Sequence, residues 1–140
     1  MRQYAKTKRI AALLALLGLV LTGCGTPKTP VDIDLTGMSE TMVYSAVFQM
    51  AENPEEYAGK TVRISGEFTS IHSEAMDRDY YSCSVRDEKG CCTEGIEFLL
   101  PPEAPCPAVG DRITVSGVYE TYEEDGGLYG QLVDAVLEKG

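Results

Sequence analysis

From Gly59 onward the apolar residues recur at every second position, the repeat of extended strands with one face buried. "KTVRISGEFTSI", residues 60–71, sets Val62, Ile64 and Phe68 on one face with Gly66 between them, which predicts a strand bent at the glycine. The alternation continues with Tyr81, Cys83 and Val85 in 79–87, Ile96 and Phe98 in 95–100, and Ile113, Val115, Gly117 and Tyr119 in 111–122. A last strand over 128–138 follows "EEDGG", whose Asp125-Gly126 pair is a hairpin signal. Long, twisted first and fourth members with glycines at their bends predict a mainly β chain. The expected architecture is a five-stranded OB-like Greek-key barrel, with a sandwich as the alternative.

Upstream the period is helical. "SETMVYSAVFQMAENP", residues 39–54, places Met42, Val43, Ala46, Val47 and Met50 on one stripe, with Ser39 as N-cap and Asn53-Pro54 as stop. One amphipathic α-helix is therefore expected before the barrel, its methionines serving as core. "GKT", residues 59–61, looks like the end of a phosphate-binding loop, but the glycine such a loop needs five residues earlier is Pro54. The order of helix then strand is also the reverse of what that loop requires. Gly59 reads as a turn and Lys60 as a solvated flank.

Met1–Arg9 carries four basic residues and no acid, and "IAALLALLGLVL", residues 10–21, follows it. That run falls short of the roughly 20 residues that span a bilayer, and suits the hydrophobic region of an export signal. "LTGC", residues 21–24, resembles the bacterial lipobox. The resemblance implies cleavage before Cys24 and a diacylglyceryl group on its thiol, with further acylation by chains such as palmitate. Two or more acyl chains give stable anchoring where one gives only marginal binding. The expected organisation is a lipoprotein signal peptide over 1–23, a lipidated Cys24 with a flexible tether over 24–38, and a helix-plus-barrel domain over 39–140. The expected location is the cell membrane, lipid-anchored and facing the extracytoplasmic side.

Removing residues 1–23 takes four of the twelve basic residues and none of the twenty-two acids, leaving eight against twenty-two and a formal charge of −14. Such an acidic domain lacks the clustered Lys and Arg that nucleic-acid phosphates need, so no nucleic-acid partner is expected. Acidity of this kind keeps an exported domain soluble. The single histidine, His72, excludes the usual triads and multi-histidine metal sites.

"MVYSAVFQMAENPEEYAGKTVRISGEF", 42–68, with "YYSCSVRDEKGCCTEGIEF", 80–98, and "GDRITVSGVYETY", 110–122, resembles a group of small OB-fold lipoproteins of Gram-positive anaerobes. The paired cysteines followed by a glycine and a strand are also similar to the extracytoplasmic end domain of a bacterial two-gene family of predicted permeases. These resemblances imply fold and location, with transport or metal handling beside a permease suggested by the second. They bring no catalytic residues.

Cys83, Cys91, Cys92 and Cys106 remain after Cys24 is lipidated. If "DEKG", 87–90, forms a turn, Cys91 falls opposite the neighbourhood of Asp87. Either the following strand bulges near Thr93–Gly95, or Cys92 shares the inward face with Glu94; the bulge is preferred because it buries no charge. In both registers one of the adjacent cysteines packs inward and the other is exposed. A disulfide from Cys91 or Cys92 to Cys83 or Cys106 suits an exported domain better than a vicinal one, and four cysteines allow three pairings. The alternative is a thiolate-rich site for zinc, using Cys83, Cys91 and Cys92 with His72 or Cys106. Zinc is the one candidate cofactor. No C-x-x-C stands at a helix N-terminus and no base is placed beside a thiol, so an enzyme is not expected.

The function expected is a non-enzymatic binding or accessory module that uses the face of its middle strands and adjoining loops. Tyr81, Tyr119 and Tyr122, with Tyr80 and Tyr129, supply its aromatic surface. Its expected partners are the membrane, through the lipid, and a permease or other envelope protein. The alternative is zinc handling through the cysteine cluster. Cells expressing the protein are expected to incorporate a labelled palmitate analogue into it, and the Cys24→Ser variant to lose that label; label retained in the variant would contradict the lipidation.

Overall fold

The computed structural model describes residues 30–138. The leader, the lipobox and Cys24 lie outside the described residues. The elements are β1 (Ile33–Asp34), α1 (Glu40–Glu52), a 3-10 turn (Pro54–Glu56), β2 (Thr61–Ser73), β3 (Arg78–Arg86), β4 (Thr93–Phe98), β5 (Arg112–Glu124) and β6 (Gly127–Glu138). Strands β2, β3, β4, β6 and β5 pair in that order and β5 returns to β2, closing a five-stranded barrel. These neighbours are antiparallel except β4 and β6, which run parallel. The expected OB-like barrel preceded by one helix is the architecture observed.

Closure depends on strands that change partner. Residues 61–67 of β2 pair with β5 and residues 67–73 with β3. At the handover a side chain on Gly66 would collide with the Ser84 carbonyl oxygen and lie 2.9 Å from the Cys83 Sγ. Glycine alone lets the two backbones approach so closely. In β5, a Cβ on Gly117 would lie 2.7 Å from the Val133 carbonyl oxygen. Opposite it the register of β6 shifts between the Ser116–Val136 and Val118–Val133 pairs, and Asp134 takes a φ of 50°. The barrel's bulge therefore sits in β6 and not, as expected, at Thr93–Gly95. There β4 pairs with β3 without interruption from Thr93 to Glu97. No bulge was needed because Glu94, opposite Val85, is only half-buried at the end of the strand, so the regular register buries no charge fully.

The core joins Val62, Ile64 and Phe68 of β2 to Cys83, Ile96, Phe98, Ile113, Val115, Tyr119, Leu132 and Ala135 of the other strands. Helix α1 adds Val43, Val47 and Met50. Each such side chain gains about 1.5–3 kcal/mol on full burial, so packing, not the helix's own propensity, holds α1 in place. Its stripe is narrower than expected. Met42 is 57% exposed, because it lies about 100° around the helix from Val43 and misses the seam. Ser39 precedes α1 in extended conformation without a side-chain cap, while the Asn53 N–H donates to the Gln49 carbonyl before Pro54 opens the 3-10 turn.

The segment read as a tether over 24–38 joins the domain well before Ser39. The Asp32 N–H donates to the Thr61 carbonyl, the Leu35 N–H donates to the Arg63 carbonyl, and β1 pairs in parallel with β2. Leu35 is buried. Val31, Ile33 and Leu35 alternate with Asp32 and Asp34, a strand signal masked by the flanking Pro30 and Gly37; the exposed β2 edge supplies the pairing. Arg63 then ties both ends of the domain, with Nη1 3.2 Å from Asp34 and Nε 2.7 Å from Glu138.

Gly66→Ala is expected to destabilise the domain by about 1–3 kcal/mol, the cost of overpacking. Gly37→Ala, where nothing lies within 4 Å, is expected to change stability by less than about 0.5 kcal/mol. Chemical denaturation compares the two, and equal losses would contradict a special role for Gly66.

Candidate functional site

Two hairpins meet outside the barrel wall. The β5–β6 hairpin turns through Asp125 and Gly126, with φ of 49° and 80°, as the two-residue Asp-Gly turn demands. Its last β5 residue, Glu124, reaches Arg78 at the start of β3, 3.7 Å away. In an OB-like barrel these two loops flank the face that binds oligonucleotides or oligosaccharides.

Strand alternation sends Cys83 inward and leaves Tyr80 and Ser82 on the opposite face of β3. Tyr80 donates its hydroxyl to Glu124, 2.8 Å from each carboxylate oxygen. The Arg78 guanidinium lies 4.1 Å above the Tyr80 ring and 5.9 Å from that of Tyr122. Tyr122 donates to Glu97 of β4 at 2.6 Å, and its ring stacks on Tyr129 with centroids 5.6 Å apart and planes at 29°. Tyr129 is 47% exposed and presents the free ring of the group. Burial first, then the hydrogen-bonded carboxylate, raises the pKa of both Tyr80 and Tyr122. The result is an aromatic platform braced by two carboxylates and one guanidinium. A hollow of about 110 Å³ between α1 and this surface is lined by Glu97, Tyr129 and Gly130.

The anticipated tyrosines divide. Tyr122 lies on the platform. Tyr119 is buried, and its hydroxyl donates to the Met50 carbonyl at 2.9 Å; it satisfies an orphan carbonyl at the end of α1 and presents no free surface. Tyr81 is half-buried and stacks on Phe68, centroids 5.6 Å apart. Arg78, Glu97 and Glu124 were not singled out from the sequence. Their only signal was an outward position, at a hairpin end for Arg78 and Glu124 and within β4 for Glu97.

The cysteines separate in the same way. Cys83 is wholly buried, and burial pushes its thiol up to about 12. Cys106 is exposed in the β4–β5 connection with its Sγ 3.6 Å from the Pro107 carbonyl. His72 lies on β2 with Nδ1 2.9 Å from Asp79. None of the three joins Cys91 and Cys92. Those two are both exposed, contrary to the expectation that one packs inward, because they precede β4 and belong to the turn. Their sulfurs lie 3.7 Å apart.

Asp87, which nothing in the sequence marks as a ligand, organises this turn. Its Oδ1 accepts from the Cys91 and Cys92 N–H groups at 2.8 and 3.1 Å, and its Oδ2 accepts from the Cys91 thiol at 3.1 Å. These bonds, the Cys92 N–H first, hold its carboxyl below the usual carboxylate range. The same carboxylate, then Cys92, pushes the Cys91 thiol up to about 11. Asp87 also lines a groove of about 400 Å³ that runs between Leu35, the start of α1 and the β2–β3 wall, where Arg86 Nη2 lies 3.0 Å from Glu67.

No protein-family model matches the chain, and no curated protein matches it. Among solved structures it is similar to a chain from Klebsiella pneumoniae subsp. pneumoniae described as a "putative nucleic acid-binding lipoprotein", with 17% identity, a TM-score of 0.44, and coverage of 66% of this chain and 81% of that one. At that identity and score the likeness says nothing about this chain's ligand.

In the folded protein treated with a chelator, iodoacetamide is expected to modify Cys91, Cys92 and Cys106 and to spare Cys83. The Cys83 pKa is raised in the fold, so its burial is compatible with folding below the ordinary 9.0 and destabilises the domain as pH rises from there through about 12. Peptide mass mapping and denaturation against pH check the two outcomes, and native alkylation of Cys83 would contradict the barrel interior assigned to it.

Proposed function

We propose that the protein is a lipid-anchored, extracytoplasmic binding module, without catalytic activity, that holds a neutral polyhydroxylated ligand such as a glycan on the platform between its two hairpins. The observation that carries this reading is the arrangement of Tyr80, Tyr122 and Tyr129 around Glu97, Glu124 and Arg78. Sugar rings offer apolar C–H faces that stack on aromatic rings, and hydroxyls that donate to carboxylates and accept from guanidinium. Phosphate-rich ligands fit poorly. Two carboxylates face one guanidinium on the platform, and the domain as a whole is strongly acidic.

The lipobox supports the anchored part of the reading, since a binding domain held at the envelope by acyl chains meets surface polysaccharides at high local concentration. The non-catalytic part is supported by the pairing of the single imidazole. His72 is held by the carboxylate of Asp79 on an exposed hairpin, away from the thiols of Cys83, Cys91, Cys92 and Cys106.

Calorimetric titration of the detergent-solubilised protein with soluble cell-wall oligosaccharides is expected to show saturable binding. Tyr129→Ala is expected to weaken it at least fivefold, from the loss of a ring contact worth about 1 kcal/mol. Failure of every neutral glycan to bind, or indifference of the affinity to Tyr129→Ala, would sink this reading.

A further inference from the structure

At the other end of β3 from the platform, the turn over 87–92 gathers chemistry that a glycan-binding face does not use. We propose that Asp87, Cys91 and Cys92 form a binding site for a thiophilic divalent cation of the zinc class. One donor atom from each residue lies within 4.8 Å of the others, and no further histidine, cysteine or carboxylate joins this group among the described residues. The site is independent of the platform and of its ligand.

Geometry favours a tetrahedral ion. With Zn–S bonds of about 2.3 Å, two thiolates on one tetrahedral ion stand about 3.8 Å apart, and the Cys91 and Cys92 sulfurs stand at 3.7 Å. A thiolate and a carboxylate oxygen on the same ion stand about 3.6 Å apart; the Cys91 Sγ to Asp87 Oδ2 distance of 3.1 Å opens to that by a small side-chain rotation. The turn is already shaped for it. Asp87 Oδ1 is committed to the two backbone N–H groups, which leaves Oδ2 to exchange the Cys91 thiol proton for the metal. Each thiol releases its proton to solvent as the metal–sulfur bond forms, and no electron is transferred.

The chemistry selects the metal class. Two thiolates and one carboxylate favour zinc or a softer ion over magnesium or calcium, which prefer all-oxygen shells. Three protein donors leave a fourth position open. Both thiols are exposed, so ions enter and leave without opening the barrel, as suits a site that exchanges its metal. The cluster expected from the sequence differs in membership. Cys83 is buried in the barrel and takes no part, and Asp87 stands in its place.

The test uses the full-length protein in detergent with a phosphine reductant. Cobalt(II) is expected to bind at one ion per chain, with a thiolate-to-cobalt charge-transfer band of two-sulfur intensity and the visible bands of a tetrahedral ion. Zinc should displace it and should protect Cys91 and Cys92, but not Cys106, from alkylation. Cys91→Ser and Cys92→Ser should each weaken binding at least about 100-fold, the upper range for losing even an outer partner, and Asp87→Asn about tenfold. Asp87→Asn retains an oxygen for the turn's N–H groups, so its effect reads ligation and not folding. No cobalt band, equal alkylation of the three exposed thiols with and without zinc, or binding lost on Cys106→Ser and retained on Cys91→Ser would overturn the proposal. A membrane-isolated protein whose Cys91 and Cys92 are joined to each other, and which binds no cobalt once reduced, would overturn it as well.

Discussion

Closing five strands on a core this small requires β2 to pair with β5 along one half and with β3 along the other. The strand can do so only where backbone meets backbone without a Cβ between them, and Gly66 is that place. Gly117 answers the same need in β5, opposite the bulge at Asp134 that brings Leu132 and Ala135 to the same interior. The positions of the hairpins, and therefore of everything that faces solvent, follow from these two approaches.

Helix α1 completes the enclosure at one side. Val43, Val47 and Met50 bury against the barrel, and Tyr119 reaches from β5 to the Met50 carbonyl. This hydrogen bond makes an interior tyrosine of a residue whose type is common on binding faces. Its ring also packs edge-on against Tyr57, centroids 6.1 Å apart, so the 3-10 turn, the helix end and β5 share one junction.

The polar chemistry is thereby divided between the two ends of β3. At its start, Arg78 and Tyr80 join Glu124 from a hairpin far away in sequence, and at its finish Asp87 gathers Cys91 and Cys92 within a single turn. The first group depends on the barrel being closed, since its members come from different strands. The second depends mainly on a local turn, whose Gly90 takes a φ of 67° and donates its N–H to the Asp87 carbonyl. A ligand on the platform and an ion in the turn would thus touch different strand ends of a common scaffold.

Strand positions, the single helix and the Asp125-Gly126 turn were legible in the sequence, because side chains that alternate or recur at helical spacing record which face is buried wherever the strand lies. That Val62, Ile64 and Phe68 face inward needs no knowledge of the neighbour they meet. The expectation of an export signal and a lipidated Cys24 rests likewise on a local pattern of charge, apolar length and small residues, and lies outside the described residues. Partners were not legible. Tyr119 shares the parity of Ile113 and Val115 and Tyr122 does not, so alternation separates their faces. That one meets the Met50 carbonyl and the other Glu97 depends on which elements pack against β5. The alternation of Val31, Ile33 and Leu35 marks an extended segment, but only the β2 edge decides that it joins the barrel. Cys83 and Cys91 are eight residues apart in sequence, but strand and turn place one in the interior and the other in solvent. The sequence by itself determined which segments extend or coil and which faces they bury. Tertiary structure decided which residues share a site, because contact between distant strands depends on register and closure, and both are set by the whole barrel.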